Sequence, residues 1–348
     1  MPMEKEKLLN LLHEYRLASG EYQATGYWAS YEARLLDTLG SLDVSQLRSG
    51  KYPILATFGF NDVVYTYHPN MPVWKRVILS FIHRHVMSRS TLPYSLSVPD
   101  LQEAAYRHCE LLGRSTNSIP ISAIEVSAFG SPRDLFEISG HKYTMAFLSH
   151  YIRYCFANKH IAFKGDETLV ELGSGSGYQI EVLKKLYPEL TVLCFDLPVQ
   201  VYLCEQYLTR ALEPGTVYGT DVTAGWKDLS GIKKGAVHLF GNWRFPFLRD
   251  YRIDVFWNAA SFGEMEPDVV QNYLRDVRGN ARWVYLLQAR RGKETSGPAH
   301  VNTPIVFDDY NTFLPEYVLR EEHDAWQAHR RLSDSGGYFE GVWERKRQ

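Results

Sequence analysis

Four residues at alternating positions carry the first chemical signal in the chain. Glu171, Gly173, Gly175 and Gly177 lie in the run Val170-Glu171-Leu172-Gly173-Ser174-Gly175-Ser176-Gly177-Tyr178. Glycine accepts positive φ and has no Cβ, so such a loop turns sharply and lets a ligand approach its backbone. A helix opening at Tyr178 would add unpaired N–H groups at the same place. The spacing departs from the dinucleotide fingerprint G-x-G-x-x-G, whose third glycine would fall on Tyr178. No G-K-[ST] follows, so this is not a phosphate-cradling P-loop. Glu171 adds a preference of sign. A carboxylate repels a neighbouring pyrophosphate but attracts an ammonium or sulfonium. Asp196 stands where a second strand would end, and an acid there can accept hydrogen bonds from both hydroxyls of a ribose.

Such a loop needs a strand before it and a helix after it. Thr168-Leu169-Val170 reads as the strand, residues 178–186 as the helix and residues 191–195 as the next strand. The pattern continues with a helix over 200–212, an extended pair Val217-Tyr218, a strand over 253–257, a helix over 266–277 and a strand over 283–287. Strands alternating with helices predict an α/β fold, a mostly parallel sheet with helices on both faces. Nearly continuous apolar strands suit a sheet buried on both sides. The first part of the chain reads differently. Leu8, Leu11, Leu12 and Tyr15 mark one helical stripe, and Tyr31, Leu35, Leu36 and Leu39 a second. Further helices are expected over 73–87, with Trp74, Val77, Ile78 and Phe81 inward, and over 99–112. Residues 113–132 read as loop, and a helix over 144–157 feeds the first strand. The expected organisation is a mainly helical N-terminal cap over 1–140 and a ligand-binding α/β domain over 141–348.

Bulk composition bounds the function. A chain of 348 residues with 45% hydrophobic content can bury a core larger than that of one typical domain. Lys plus Arg number 38 against 40 Asp plus Glu, which argues against nucleic acid as a partner. No apolar run reaches membrane-spanning length, so no membrane association is expected. Cys109, Cys155, Cys194 and Cys204 are widely spaced and form no C-x-x-C pair. Free, buried thiols and a cytoplasmic location are the expectation, since the charged start Met1 to Asn10 lacks a signal-peptide core. Aromatic residues make up 14% of the chain, enough to line a cleft for a small organic or sugar ligand as well as to fill a core. The sequence is compatible with a homo-oligomer and sets no stoichiometry.

With these residues placed, the chain resembles the class I, Rossmann-like methyltransferases that use S-adenosylmethionine. Glu171-x-Gly173-x-Gly175-x-Gly177 matches their first motif. The resemblance implies that residues 173–177 pass beneath the methionine end and ribose, that Asp196 holds the ribose, and that Leu197, Asp221 and Val222 lie near adenine. A narrower similarity is to bacterial sugar O-methyltransferases. It is carried by Glu125, Gly130-Ser131-Pro132, Gly140-His141-Lys142-Tyr143, the glycine loop and Asn258-Ala259-Ala260-Ser261-Phe262-Gly263-Glu264-Met265, and it spans roughly residues 90–345. It implies methyl transfer to a hydroxyl of a sugar or sugar-containing acceptor, with Tyr143 and Asn258 near the cofactor.

In-line methyl transfer needs alignment and exclusion of water, and a hydroxyl acceptor also gains from a base. Glu264 follows a strand at the ligand-facing edge and is the first candidate base. His141, in the region that approaches the cofactor in the resembling proteins, and His300, in a loop over 291–302, are the others. Magnesium is compatible with sugar methylation, but no compact ligand spacing calls for it; Asp308-Asp309 also reads as a turn or helix start. Three rival readings remain: a phenolic, carboxylic or polyketide-like acceptor, a non-catalytic interaction protein that keeps the cofactor fold, and a dehydrogenase, which Glu171 and the missing third glycine disfavour.

Overall fold

The computed structural model describes residues 5–24, 26–60, 74, 98–297, 300–325 and 337–347. The helix expected over 73–87 lies outside these residues apart from Trp74.

The two N-terminal stripes form helices α1 (Lys5–Leu17) and α2 (Gly26–Gly40), and the next described helix is α3 (Val98–Ser115). The 3-10 helix Pro53–Phe58 follows α2 and ends at Gly59. A short antiparallel hairpin, β1 (Phe136–Ile138) and β2 (His141–Tyr143), precedes the helix expected over 144–157. Helix α4 (Met145–Ile161) then begins at Thr144, whose hydroxyl accepts from Phe147 N at 3.2 Å. That cap satisfies one of the amides a helix start leaves open.

The α/β part runs β3 (Thr168–Leu172), α5 (Tyr178–Leu186), β4 (Thr191–Asp196), α6 (Pro198–Ala211), β5 (Val217–Tyr218), α7 (Thr220–Thr223), β6 (Val237–Gly241), β7 (Ile253–Ala259), α8 (Pro267–Arg278), β8 (Ala281–Ala289), α9 (Phe307–Phe313), β9 (Tyr317–Asp324) and β10 (Tyr338–Arg345). Eight strands form one sheet in the order β5-β6-β4-β3-β7-β8-β10-β9. Neighbours from β5 to β8 pair in parallel, and β10 is antiparallel to both β8 and β9. All residues of β4 and β6 are buried, as in a sheet covered on both faces; β6, with His238 in it, is a strand that the sequence did not show. One apolar cluster joins α4, α5 and α6 to the N-terminal helices, so Leu8, Leu35 and Leu47 share a core with Val192 and Val255. A second cluster packs α8 and α9 against the other face. Trp257 stacks on Tyr285 at 3.6 Å across β7 and β8.

This sheet order fits the Rossmann-like α/β fold that the resemblance implied, with an antiparallel strand near one edge. The chain leaves β3 toward β4 on one side and returns with β7 on the other. That reversal opens a crevice at the carboxyl ends of β3, β4 and β7, where α/β sheets place their ligands.

Candidate active site

A cleft of about 520 Å³ lies at this crevice. It falls within the range of roughly 300–1,000 Å³ usual for small-molecule sites. Its floor is the loop 171–176 between β3 and α5, and its walls include Asp196, Leu197, Asn242, Ser261 and Glu264. The N-terminal region supplies Gln23, Tyr27, Trp28 and Phe58 to the same cleft.

Packing alone fixes the glycines of this loop. Gly173 and Gly177 sit at φ +79° and +80°. A Cβ on Gly173 would stand 2.5 Å from Ser261 Oγ, and one on Gly177 would stand 2.9 Å from Leu208 Cγ. The loop therefore presses against β7's outgoing turn on one side and α6 on the other. Gly175, at φ +51°, faces the carbonyl of Phe58, so the N-terminal region touches the loop directly.

Two carboxylates define the electrostatics. Asp196 ends β4 and accepts from Gly175 N and Leu197 N, each at 2.8 Å. One bond to each oxygen fixes the carboxylate and leaves lone pairs over for a ligand. Burial raises its pKa to about 7, against those two backbone bonds. Glu171 is buried on β3, and its Oε2 has no hydrogen-bond partner. Burial, reinforced by Asp196, pushes its carboxyl well above the usual range. An unpartnered buried carboxylate is costly, so a cation or donor should complete it. Asn242 follows β6 and is similar. Its Nδ2 donates to Tyr22 O and Tyr273 OH, which leaves Oδ1 buried and unpaired in the cleft wall.

A second polar group shares the cleft. Glu264 lies in the short 3-10 helix Phe262–Glu264, with Lys293 Nζ 3.1 Å from its Oε1. Tyr27 and Trp28 of α2 line the cleft together with this carboxylate. Burial raises the Glu264 carboxyl, and Lys293 opposes the shift. Lys293 in turn donates to Tyr338 OH at 3.0 Å.

The other sequence-derived candidates lie elsewhere. His141 pairs with Ile138 in the β1–β2 hairpin and does not line the cleft. Tyr143 is fully buried among Tyr106, Phe136 and Phe147, so its hydroxyl cannot reach a ligand in the cleft. The cause is the hairpin itself, which turns this stretch toward α3. Asp221 and Val222 are also displaced. Asp221 is an exposed ion-pair partner of Lys7, and Val222 is 48% exposed. The strand beside β4 is β6, so Asn242 takes the edge position that the sequence reading gave to the turn after β5. His300 turns its ring back to Gly297 O at 2.7 Å and stays out of the cleft.

Asn258 does not line the cleft either; it ties the cleft together. Its Nδ2 donates to Leu172 O at 2.8 Å, and its Oδ1 accepts from Phe262 N and Gln288 Nε2. β3, β7, β8 and the Glu264 turn thus share one buried amide. Asn258→Ala strands several buried groups and should cost about 2–4 kcal/mol of stability. The check is the urea midpoint; an unchanged midpoint would contradict this role.

The sequence reading missed Asn242, Lys293, Tyr27, Trp28, Arg153 and His150, all of which line the cleft. Among the described residues no cluster of three or more metal-ligating side chains occurs, and no helix is long and apolar enough to cross a membrane.

Residues 149–222 match the family model of the O-methyltransferase domain. The match covers α4 through the turn after β5, including the glycine loop and Asp196. No curated protein matches the chain. Among solved structures it is similar to a SAM-dependent methyltransferase from Aquifex aeolicus, with 16% identity, a TM-score of 0.34, and coverage of 53% of this chain and 85% of that one. It is also similar to the pyocyanin biosynthetic protein PhzM, with 12% identity, a TM-score of 0.37 and 58% of each chain covered. A third is the magnesium protoporphyrin IX methyltransferase from Synechocystis PCC 6803 with bound SAH, with 9% identity, a TM-score of 0.36, and coverage of 57% of this chain and 86% of that one.

Proposed function

We propose that this chain transfers a methyl group from S-adenosylmethionine to a hydroxyl of a sugar or sugar-containing metabolite. The observation that carries the reading is one cleft holding both an unpartnered Glu171 and the Glu264–Lys293 pair. The first suits a cationic cofactor, and the second suits a hydroxyl that must lose a proton. The O-methyltransferase match over 149–222 supports the cofactor assignment.

S-adenosylmethionine would supply an activated methyl group on a sulfonium that leaves without protonation. Glu171 would hold its ammonium, Asp196 its ribose hydroxyls and Asn242 Oδ1 the adenine amino group. Tyr27, Trp28 and Phe58 would close the cleft and exclude water, which strengthens every polar contact inside it. Glu264 would take the acceptor proton, with Lys293 holding the carboxylate in place. The amphipathic rings of Tyr27, Trp28 and Tyr338 offer the mixed surface that sugars favour. We place the protein in the cytoplasm, in keeping with four buried, unbridged cysteines.

A second reading has its own support. Trp28 stacks on Phe58 at 5.3 Å and 20°, and Lys293 sits nearby, a setting that also suits a flat phenolic or carboxylic acceptor. The test starts with calorimetry. S-adenosylhomocysteine should bind in the micromolar range and NADH should not. Heat from NADH alone would end the methyltransferase reading. A labelled-methyl assay over sugar, phenol and carboxylate acceptors then chooses among acceptors. Transfer to phenols or carboxylates but not sugars would favour the second reading. Cofactor binding with no transfer to any of them would favour a non-catalytic role.

A further inference from the structure

A base needs no cation beside it, yet Glu264 has one. Lys293 Nζ stands 3.1 Å from Glu264 Oε1, and both residues line the cleft. An ammonium this close works against a base, because it favours the carboxylate without its proton. Beyond holding the carboxylate, the cation calls for a second use. The pair is built to keep one geometry. Glu264 is 8% exposed, in a turn closed by Glu264 N to Ser261 O at 2.9 Å and by Gly263 N to Gln288 Oε1 at 3.0 Å. Lys293 lies in the loop after β8. That loop is tied at its base by Phe307 N to Arg290 O at 3.1 Å, and farther along by Asn302 N and Thr303 N, which both donate to Glu266. The ammonium lies 5.6 Å from the ring centroids of both Tyr27 and Tyr338, within reach of the attraction a ring exerts on a cation. An ammonium has three N–H groups. Glu264 and the Tyr338 hydroxyl, at 3.0 Å, take two of them, which leaves one donor for a ligand. A carboxylate offers about four lone-pair sites, so Glu264 keeps acceptor capacity beside that donor. An acceptor and a donor thus stand one hydrogen-bond length apart in one cleft.

We infer that Glu264 and Lys293 together select an acceptor with two neighbouring hydroxyls, Glu264 taking the proton of the one that is methylated and Lys293 donating to the oxygen of the other. This rests on the proposed methyl transfer to oxygen, and it narrows the acceptor to a vicinal diol. Gauche oxygens on adjacent carbons lie about as far apart as two hydrogen-bonded atoms, so a diol meets the pair at both points at once. A lone hydroxyl meets only one of them. In the step, the acceptor oxygen bonds the methyl carbon. The carbon–sulfur bond breaks with its electron pair staying on sulfur, and the hydroxyl proton passes to Glu264. Protonation removes the charge that Lys293 had faced, and the neighbouring oxygen keeps the ammonium hydrogen-bonded through the step. Sugars carry vicinal diols on saturated carbon and catechols carry them on an aromatic ring, and both satisfy the pair.

The experiment measures kcat/KM for labelled-methyl transfer from S-adenosylmethionine to paired acceptors. The pairs are the methyl pyranosides of glucose, galactose, mannose and rhamnose, each beside its monodeoxy forms, and catechol beside phenol. Removing the neighbour of the methylated hydroxyl should lower kcat/KM at least ~10²-fold, as when a site built to bond a hydroxyl meets an analogue lacking it. In Lys293→Met that penalty should shrink to within ~5-fold, while affinity for S-adenosylhomocysteine, read by calorimetry, stays within ~2-fold of wild type. Wild type that methylates every monodeoxy form as well as its parent, or phenol as well as catechol, would overturn the inference without any variant having to fold. So would a Lys293→Met protein that slows diol and deoxy acceptors by one common factor, because Lys293 would then only hold Glu264. Catechol preferred over phenol, with no sugar methylated, would uphold the inference and overturn the sugar assignment. Bound S-adenosylhomocysteine with no transfer to any of these acceptors would defeat the methyl-transfer reading and the inference with it.

Discussion

Glutamine at position 264 is expected to lower kcat by at least ~10²-fold, the usual worth of a positioned base, with S-adenosylhomocysteine affinity held within about threefold. Of the three candidate bases only Glu264 lines the cleft; His141 lies in a hairpin and His300 faces its own loop. The change is isosteric, so it removes basicity with little change of shape. It also leaves Lys293 without its carboxylate, which a Glu264→Gln, Lys293→Met double variant controls for. The pH profile adds a second readout. A base must be deprotonated, and burial raises the Glu264 carboxyl above its ordinary 4.5. Wild-type kcat should therefore fall on the acid side along a limb centred above pH 4.5, and that limb should disappear in Glu264→Gln. Near-normal kcat in the variant would remove Glu264 as base and point to a carboxylate acceptor, which needs none.

The parts of this architecture that repeat a local rule were legible in the sequence. Residues 168–170 and 191–195 are mostly apolar and each run is followed by an acid, so both the strands and the placing of Glu171 and Asp196 at the sheet's carboxyl edge could be read directly. The glycine loop announced its own turn because positive φ at Gly173 and Gly177 excludes most other residues. What failed to show were choices made by tertiary pairing. β6 is as buried as its neighbours, yet His238, its second residue, and the 18 residues separating β5 from it hid its place beside β4. That single omission put Asp221 forward in place of Asn242, which is the residue that lines the cleft. β9 has a charged, half-exposed face and β10 contains Glu340 and Glu344, so neither looks like a core strand until they pair. Asn258 was misassigned for a different reason. Its type and edge position fit a ligand contact, and only the carbonyl of Leu172 and the amide of Gln288, both distant in sequence, show where its bonds go. Tyr27, Trp28 and Lys293 reach the cleft from helices and loops whose approach no local pattern encodes.

Glu171→Gln should make the ligand-free protein more stable while weakening cofactor binding by at least ~30-fold, as expected when one member of a buried charge contact is neutralised. The two effects have one cause. Glu171 is buried and its Oε2 has no partner, so the carboxylate form carries an uncompensated desolvation cost until a cation arrives. An acid whose folded-state pKa is raised binds its proton more tightly in the native state than in the unfolded chain. Its contribution is then most favourable at low pH and is lost as pH climbs from the unfolded pKa toward the folded one. For Asp196 that window runs from 3.8 to about 7, and for Glu171 it begins at 4.5 and extends well above. The ligand-free wild type should accordingly lose stability on going from about pH 5 to pH 8, by a few kcal/mol in order of magnitude. Glu171→Gln removes its share of the decline, so its advantage over wild type should widen as pH rises and vanish near pH 4. Saturating S-adenosylhomocysteine should reverse the order at pH 8, because the ammonium then compensates the wild-type carboxylate and stabilises by mass action. Thermal unfolding of both proteins at pH 5 and 8, with and without ligand, measures all of this at once. A variant less stable than wild type at pH 8 without ligand would show that Glu171 is held by contacts of its own, and its assignment as the ammonium site would fall with it.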